Sequence, residues 1–164
     1  SRESFKPRLI NNNAVIKLAS KKNIERLQSI ARNTKWSSRY FKDSKFSKEE
    51  LKIFYGQWVK KSVTGDLDDM VFHIELDKKI CGFISIKKEG INFGSIGLVS
   101  VDQNYQGLGF GLALISYAVQ FMFTKMDCAS VSVVTQKENT NACIAYDKIG
   151  FRVHDSSAWL HKWV

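Results

Sequence analysis

Three glycines at alternate positions, Gly107, Gly109 and Gly111, stand between a run of alternating apolar residues and a long apolar stretch. Lacking Cβ atoms, they let backbone N–H groups approach a ligand closely. A helix opening there adds unpaired donors and the positive end of its dipole, which together stabilise a phosphate group. Tight helix–strand packing also selects glycine, so the turn alone leaves both readings open. No Gly-Lys-Ser/Thr closes a Walker loop, and the glycine spacing departs from the dinucleotide fingerprint. Cys81, Cys128 and Cys143 have neither metal-ligand nor redox spacing, so reduced, mostly buried thiols are expected, with no zinc site and no cysteine nucleophile.

The elements that must position the glycine turn follow from periodicity. Ala14 to Leu18 reads as an opening strand, and Ile24, Leu27, Ile30 and Ala31 repeat at helical spacing within Asn23 to Arg32. Ser47-Lys48-Glu49-Glu50 has the form of a capping box, opening a helix to about Val63. Met70 to Leu76 and Ile80 to Lys87 form a hairpin across Asp77-Lys78-Lys79, and a third strand runs from Ile91 to about Val101. A helix from about Leu108 to Lys125, a strand at Ser130 to Thr135 and a short helix from Asn141 to Ile149, stopped by Gly150, come next. Two last strands, Phe151 to Asp155 and Ala158 to Val164, are expected to close the chain.

The chain of 164 residues is read as one domain, 1–164, with enough apolar content (44%) to bury a core. Its longest apolar run, Gly109 to Phe123, carries Ser116, Tyr117 and Gln120 and suits a buried helix better than a membrane span. No apolar stretch follows the basic start, so no signal peptide is expected, and a cytoplasmic location follows as an expectation. Residues 1–64 hold 16 Lys and Arg against 5 Asp and Glu, whereas residues 65–164 hold 9 against 11. The positive charge of the first lobe is either solvated helix surface or an attractor for an anionic ligand. No DNA- or RNA-binding motif is visible, and nucleic acid is not expected as a partner.

The segment Val99 to Gly111 resembles the acetyl-CoA-binding motif of the GNAT (GCN5-related N-acetyltransferase) superfamily, Gln/Arg-x-x-Gly-x-Gly/Ala, through Gln106, Gly109 and Gly111. Val99-x-Val101 resembles the splayed strand whose backbone pairs with the pantetheine arm, with Gln103 where a proline often stands. Asn139-x-x-Ala142-x-x-x-Tyr146-x-x-Gly150-Phe151 resembles the family's second signature, in the right order and at the expected distance. The resemblance implies a mixed, mostly antiparallel sheet of about six to seven strands flanked by about four helices, splayed at the cofactor. It implies acetyl-CoA as cofactor, held by Val99, Ser100, Val101, Gln106, Gly107, Leu108, Gly109, Phe110, Gly111, Asn139 and Tyr146. It also implies catalytic roles for Tyr146, as the acid that protonates departing coenzyme A, and for Asn139. Backbone N–H groups near Val99 could polarise the thioester carbonyl. No base is evident. Glu75 and His73 share one face of the second strand, where a half-exposed sheet face explains them as readily.

For the acceptor, Trp36, Arg39, Tyr40, Tyr55, Trp58 and His161 are the candidate contacts, and helix-spaced aromatics such as Phe54, Tyr55 and Trp58 also suit a core. Their pattern, with Trp159-x-His161-x-Trp163, resembles the TDP-fucosamine (TDP-amino-sugar) acetyltransferase branch. It implies a small-molecule amine acceptor, a nucleotide sugar, for a monomer or homodimer. A peptide, protein or other small-molecule amine is the alternative within the class, and a non-catalytic basic binding module the alternative outside it.

Overall fold

A computed structural model describes residues 13–38, 40 and 43–157. Strands β1 (Ala14–Leu18), β2 (Met70–Leu76), β3 (Lys79–Glu89), β4 (Phe93–Val101) and β5 (Ser130–Val133) form one sheet in chain order. Neighbours are antiparallel except β4 and β5, which run parallel. The helices are α1 (Ile24–Asn33), α2 (Lys48–Thr64), α3 (Phe110–Thr124) and α4 (Thr140–Ile149). This is the α/β order implied by the resemblance, with five strands among the described residues. Phe151 to Asp155, expected as a strand, pairs with nothing in the sheet. Its Phe151 ring turns back onto Tyr146, Arg152 pairs with Asp147, and Val153 is exposed. The expected strand Ala158 to Val164 lies outside the described residues.

Local chemistry sets the element ends. Ser47 Oγ accepts from the Glu50 N–H at 3.1 Å while Glu50 Oε2 accepts from the Ser47 N–H at 2.8 Å, so the capping box forms as expected. Removing the cap with Ser47→Ala should cost about 1 kcal/mol of folding stability, read as a lower denaturant midpoint at unchanged slope. The β2–β3 hairpin turns on Asp77 and Lys78, both at positive φ (49° and 65°), so β3 begins at Lys79. Two positive φ values in a two-residue loop match the twist of the flanking strands. Helix α3 begins at Phe110 rather than Leu108, because Gly109 is its N-cap in left-handed conformation (φ 81°).

The sheet separates two cores. Leu27, Ile30 and Ala31 of α1 and Tyr55 and Val59 of α2 pack on Val71, Phe83 and Leu98 on one face. Phe110, Leu114, Ala118 and Met122 of α3 and Tyr146 of α4 pack on Phe72, Ile84, Ile86 and Ile96 on the other. Each buried Leu, Ile, Val, Phe or Met among them contributes about 1.5–3 kcal/mol by leaving water. Near its middle, β4 is irregular. Val99 lies opposite Ile84 and Ile96 opposite Ile86, so Gly97 and Leu98 together oppose Ser85. In a regular strand Ile96 and Leu98 would share a face. The extra residue sends them to opposite faces, as a bulge does. Ser85 Oγ accepts from the Leu98 N–H at 2.8 Å and holds the bulge.

Candidate active site

At the bulge, β4 and β5 part. Their ladder runs from Phe93–Ser130 to Ile96–Val133 and stops, leaving Gly97 to Val101 without a partner strand on that side among the described residues. Val99 and Val101 lie on the α3 face, packed against the core that contains Phe110 and Tyr146. Ser100 faces the other way, buried, with its hydroxyl hydrogen-bonded to Thr34 Oγ1 at the end of α1. Asp102 caps a short 3-10 turn, Gln103–Tyr105, by accepting from the Asn104 N–H. Arg26 of α1 donates to Asp102 at 2.6 Å and to the Ile80 carbonyl, so the β4–α3 connection is fastened to α1. Burial works to raise the Asp102 pKa, but the Asn104 N–H and the Arg26 guanidinium outweigh it and hold the carboxyl below its usual range. A polar cleft of about 380 Å³ lies between α1 and this connection, lined by Asn33, Thr34, Gln103 and Asn104 among others.

The glycine turn completes this end of the parting. Gly107 and Gly109 both adopt positive φ (80° and 81°), and a Cβ on either would meet no protein atom within 4 Å. Glycine is therefore demanded by backbone conformation, and the space above the turn is open at the start of α3. The Gln106 amide donates to the Val101 carbonyl at 3.2 Å and ties the turn to the end of β4. An open space over two left-handed glycines, facing a helix N-terminus and continuous with an unpaired strand flank, fits a pyrophosphate joined to an extended arm. The residues present thus suit coenzyme A. Leu108 is exposed at the turn, whereas Phe110 is 2% exposed and lies in the core. Phe110 and Ser100 can accordingly meet a cofactor only through their backbone, the kind of contact the resemblance implies for this segment. Their alternation placed them in the motif without showing which way each side chain faces.

Asn139 is the N-cap of α4, its side chain accepting from the Ala142 N–H at 3.4 Å. Two turns on, Tyr146 is 7% exposed against Phe151, and its hydroxyl makes no hydrogen bond with a described residue. Burial, with a smaller contribution from Cys143, pushes the phenol up to about 12, and it keeps its proton at neutral pH.

On the opposite face the aromatics of the first lobe form a stack. Trp36 lies on Tyr55 with ring centroids 4.4 Å apart, and Tyr55 is stacked on Trp58 at 6.4 Å. Tyr55, 4% exposed between them, is a core residue and not an open contact surface. Tyr40 lines a separate apolar cavity of about 230 Å³ with Phe46, Glu50, Leu51 and Phe54. Arg39 and His161 lie outside the described residues. Glu75 and His73 do not meet the parting. They bond to each other at 2.9 Å and Glu75 to Lys17 on β1, with β3 between them and β4. Lys17 and then His73 hold the Glu75 pKa below its ordinary value. Cys81 and Cys128 are fully buried free thiols whose pKa burial pushes up.

Ser62 belongs to the sequence pattern of α2 that resembles the amino-sugar branch, whereas no motif marks Asp68 or Ser85. Asp68 sits in the polar turn after α2, where nothing in the spacing marks it. Gly97 did carry a signal, since a glycine inside a strand pattern points to a bulge or a close approach.

The family model for the acetyltransferase (GNAT) family matches residues 30–151. No curated protein matches the sequence at a significant level. Among solved structures, a possible acetyltransferase from Clostridium difficile 630 superposes with a TM-score of 0.69 at 15% identity, covering 93% of this chain and 99% of that one. The PaiA N-acetyltransferase from Thermoplasma acidophilum, solved in complex with coenzyme A, gives 0.66 at 23% identity, covering 88% and 92%. An aminoglycoside acetyltransferase from an uncultured soil metagenomic sample, in complex with trehalose, gives 0.63 at 20% identity, covering 95% and 99%. At these identities the likeness is one of fold.

Proposed function

The chain belongs to the acetyltransferase (GNAT) family and is an acetyl-CoA-dependent N-acetyltransferase, and we propose that it acetylates the amino group of a nucleotide-linked amino sugar with Tyr146 as general acid. Acetyl-CoA, when bound, supplies the thioester whose carbonyl carbon the amine attacks. The N–H groups opening α3 and the turn Gly107 to Gly109 bind the pyrophosphate. The unpaired flank of β4 from Gly97 to Val101 aligns the pantetheine arm, and backbone N–H groups near Val99 polarise the carbonyl. Tyr146, protonated and without a partner among the described residues, donates to the departing sulfur. Asn139 orients this end of α4 through its cap, with a contact to the cofactor as its second role.

The observation that carries the acceptor reading is the pairing of an aromatic platform, Trp36 and Trp58 over Tyr55, with the excess of Lys and Arg in residues 1–64. A flat sugar or base face suits the platform, and a diphosphate suits the charge. Polycationic acceptors would be repelled by the same lobe. A coenzyme A release assay across TDP- and UDP-amino sugars, aminoglycosides, polyamines and peptides tests this. Turnover of the amino sugars is expected. Turnover of a peptide amine with none of the sugars would move the acceptor to the peptide class.

A further inference from the structure

A carboxylate that no part of the donor site uses lies against the parting strands. Asp68 follows α2 and is 6% exposed. A Cβ built on Gly97 would stand 3.0 Å from each of its carboxylate oxygens and 2.6 Å from Ser85 Oγ. Asp68 therefore rests directly on the backbone of β4 at the first residue beyond the last β4–β5 pair. It does so on the α1–α2 face, since its partner Ser62 belongs to α2. The cofactor turn and Tyr146 belong to the other face.

Compensation for this buried charge is thin. Ser62 Oγ lies 2.5 Å from Asp68 Oδ2 and 2.9 Å from the Trp58 carbonyl, and its single proton can serve only one of them. Asp68 Oδ1 has no hydrogen bond, and Asp68 joins no ion pair among the described residues. Ser85 Oγ accepts from the Leu98 N–H and forms no hydrogen bond with Asp68, and the adjacent Asp69 accepts from the Lys88 N–H. Asp68 is nonetheless not fully closed off, keeping 6% of its surface exposed. A buried anion of this kind is costly unless a cation or several donors meet it.

We infer that Asp68 receives the acceptor's ammonium group and takes one proton from it. One carboxylate at the apex of the parting places one amino group beside the position of the acetyl carbonyl. The step balances simply: the proton passes from nitrogen to Asp68 Oδ1, the ammonium becomes a neutral amine with a free lone pair, and Asp68 later returns the proton to water. The acceptor is thus a single primary amine that is cationic in solution. The inference rests on the acetyl-transfer reading of this cleft.

The test is the pH profile of kcat/KM for the best amine of the acceptor panel, with Asp68→Asn and Ser62→Ala beside the wild type. Asp68→Asn should lower kcat/KM about 10- to 100-fold at pH 7, the loss of one charge-assisted contact. The deficit should shrink as pH rises towards the amine's own pKa, because solvent then removes the proton. Ser62→Ala, which takes a donor from the carboxylate, should move the acidic limb to higher pH. Acetyl-CoA affinity by calorimetry should stay close to wild type in both. A deficit equal at every pH, or an unmoved acidic limb in Ser62→Ala, overturns the role of Asp68 while the acetyl-transfer reading stands. A wild-type protein that binds acetyl-CoA but turns over no amine removes both. Should Asp68→Asn fail to fold, the acidic limb of Ser62→Ala decides alone.

Discussion

Tyr146→Phe is expected to lower kcat by about 10²-fold or more with acetyl-CoA affinity little changed, the signature of a lost general acid. The structure makes this substitution unusually clean. The ring belongs to the core on the α3 face and meets Phe151 edge-on, and phenylalanine keeps both contacts. The hydroxyl has no partner among the described residues, so removing it strands none of their donors or acceptors. Stability should therefore hold, and a kinetic loss can be assigned to the missing proton. Burial keeps the phenol protonated, with its pKa at about 12. The wild-type rate should accordingly show no alkaline limb from this group below about pH 10. Full activity of Tyr146→Phe in a substrate-saturated assay would remove Tyr146 from the mechanism.

Gly109→Val is expected to weaken acetyl-CoA binding by about 10²-fold or more, read by calorimetry. Two causes combine. Valine is a poor occupant of φ 81°, and relaxing that strain, of order 1–3 kcal/mol, would turn the N–H groups of the turn away from the phosphates. Its branched side chain would also project into space that the protein leaves empty and the pyrophosphate needs. Gly109→Ala carries the conformational part with little of the bulk, so its affinity should fall between valine and wild type. Equal affinities for all three would detach the turn from the cofactor.

Much of this was legible in the chain because it is local. Helix periods, the Ser47–Glu50 cap and the glycine turn each depend on residues a few positions apart. The donor half of the site shared that advantage, since Val99 to Gly111 is a single strand, turn and helix start. The acceptor half did not. Asp68 acquires its meaning from Ser62, Gly97 and Ser85, which only the sheet order and the β4 bulge bring together. Glu75 and His73 alternate like cleft residues, yet the pairing of β1 on β2 gives them Lys17 instead. Arg26 and Asp102, separated by 76 positions, could be joined only once α1 lay across the end of β4. Phe110 sits within a binding motif by position but points into the core, because the N-cap at Gly109 fixes the phase of the helix that follows.

The early end of the β4–β5 ladder has a cost of its own. Gly97 to Val101 presents unpaired peptide groups inside a sheet, the kind of template that invites a foreign strand and seeds aggregation. This chain limits the hazard by keeping the stretch short, kinking it with a bulge, and capping its far end with the Gln106 amide. The remaining protection comes from the ligand. On the proposed reading a pantetheine arm would fill the gap as a surrogate strand, and acetyl-CoA should then stabilise the native state in proportion to its occupancy.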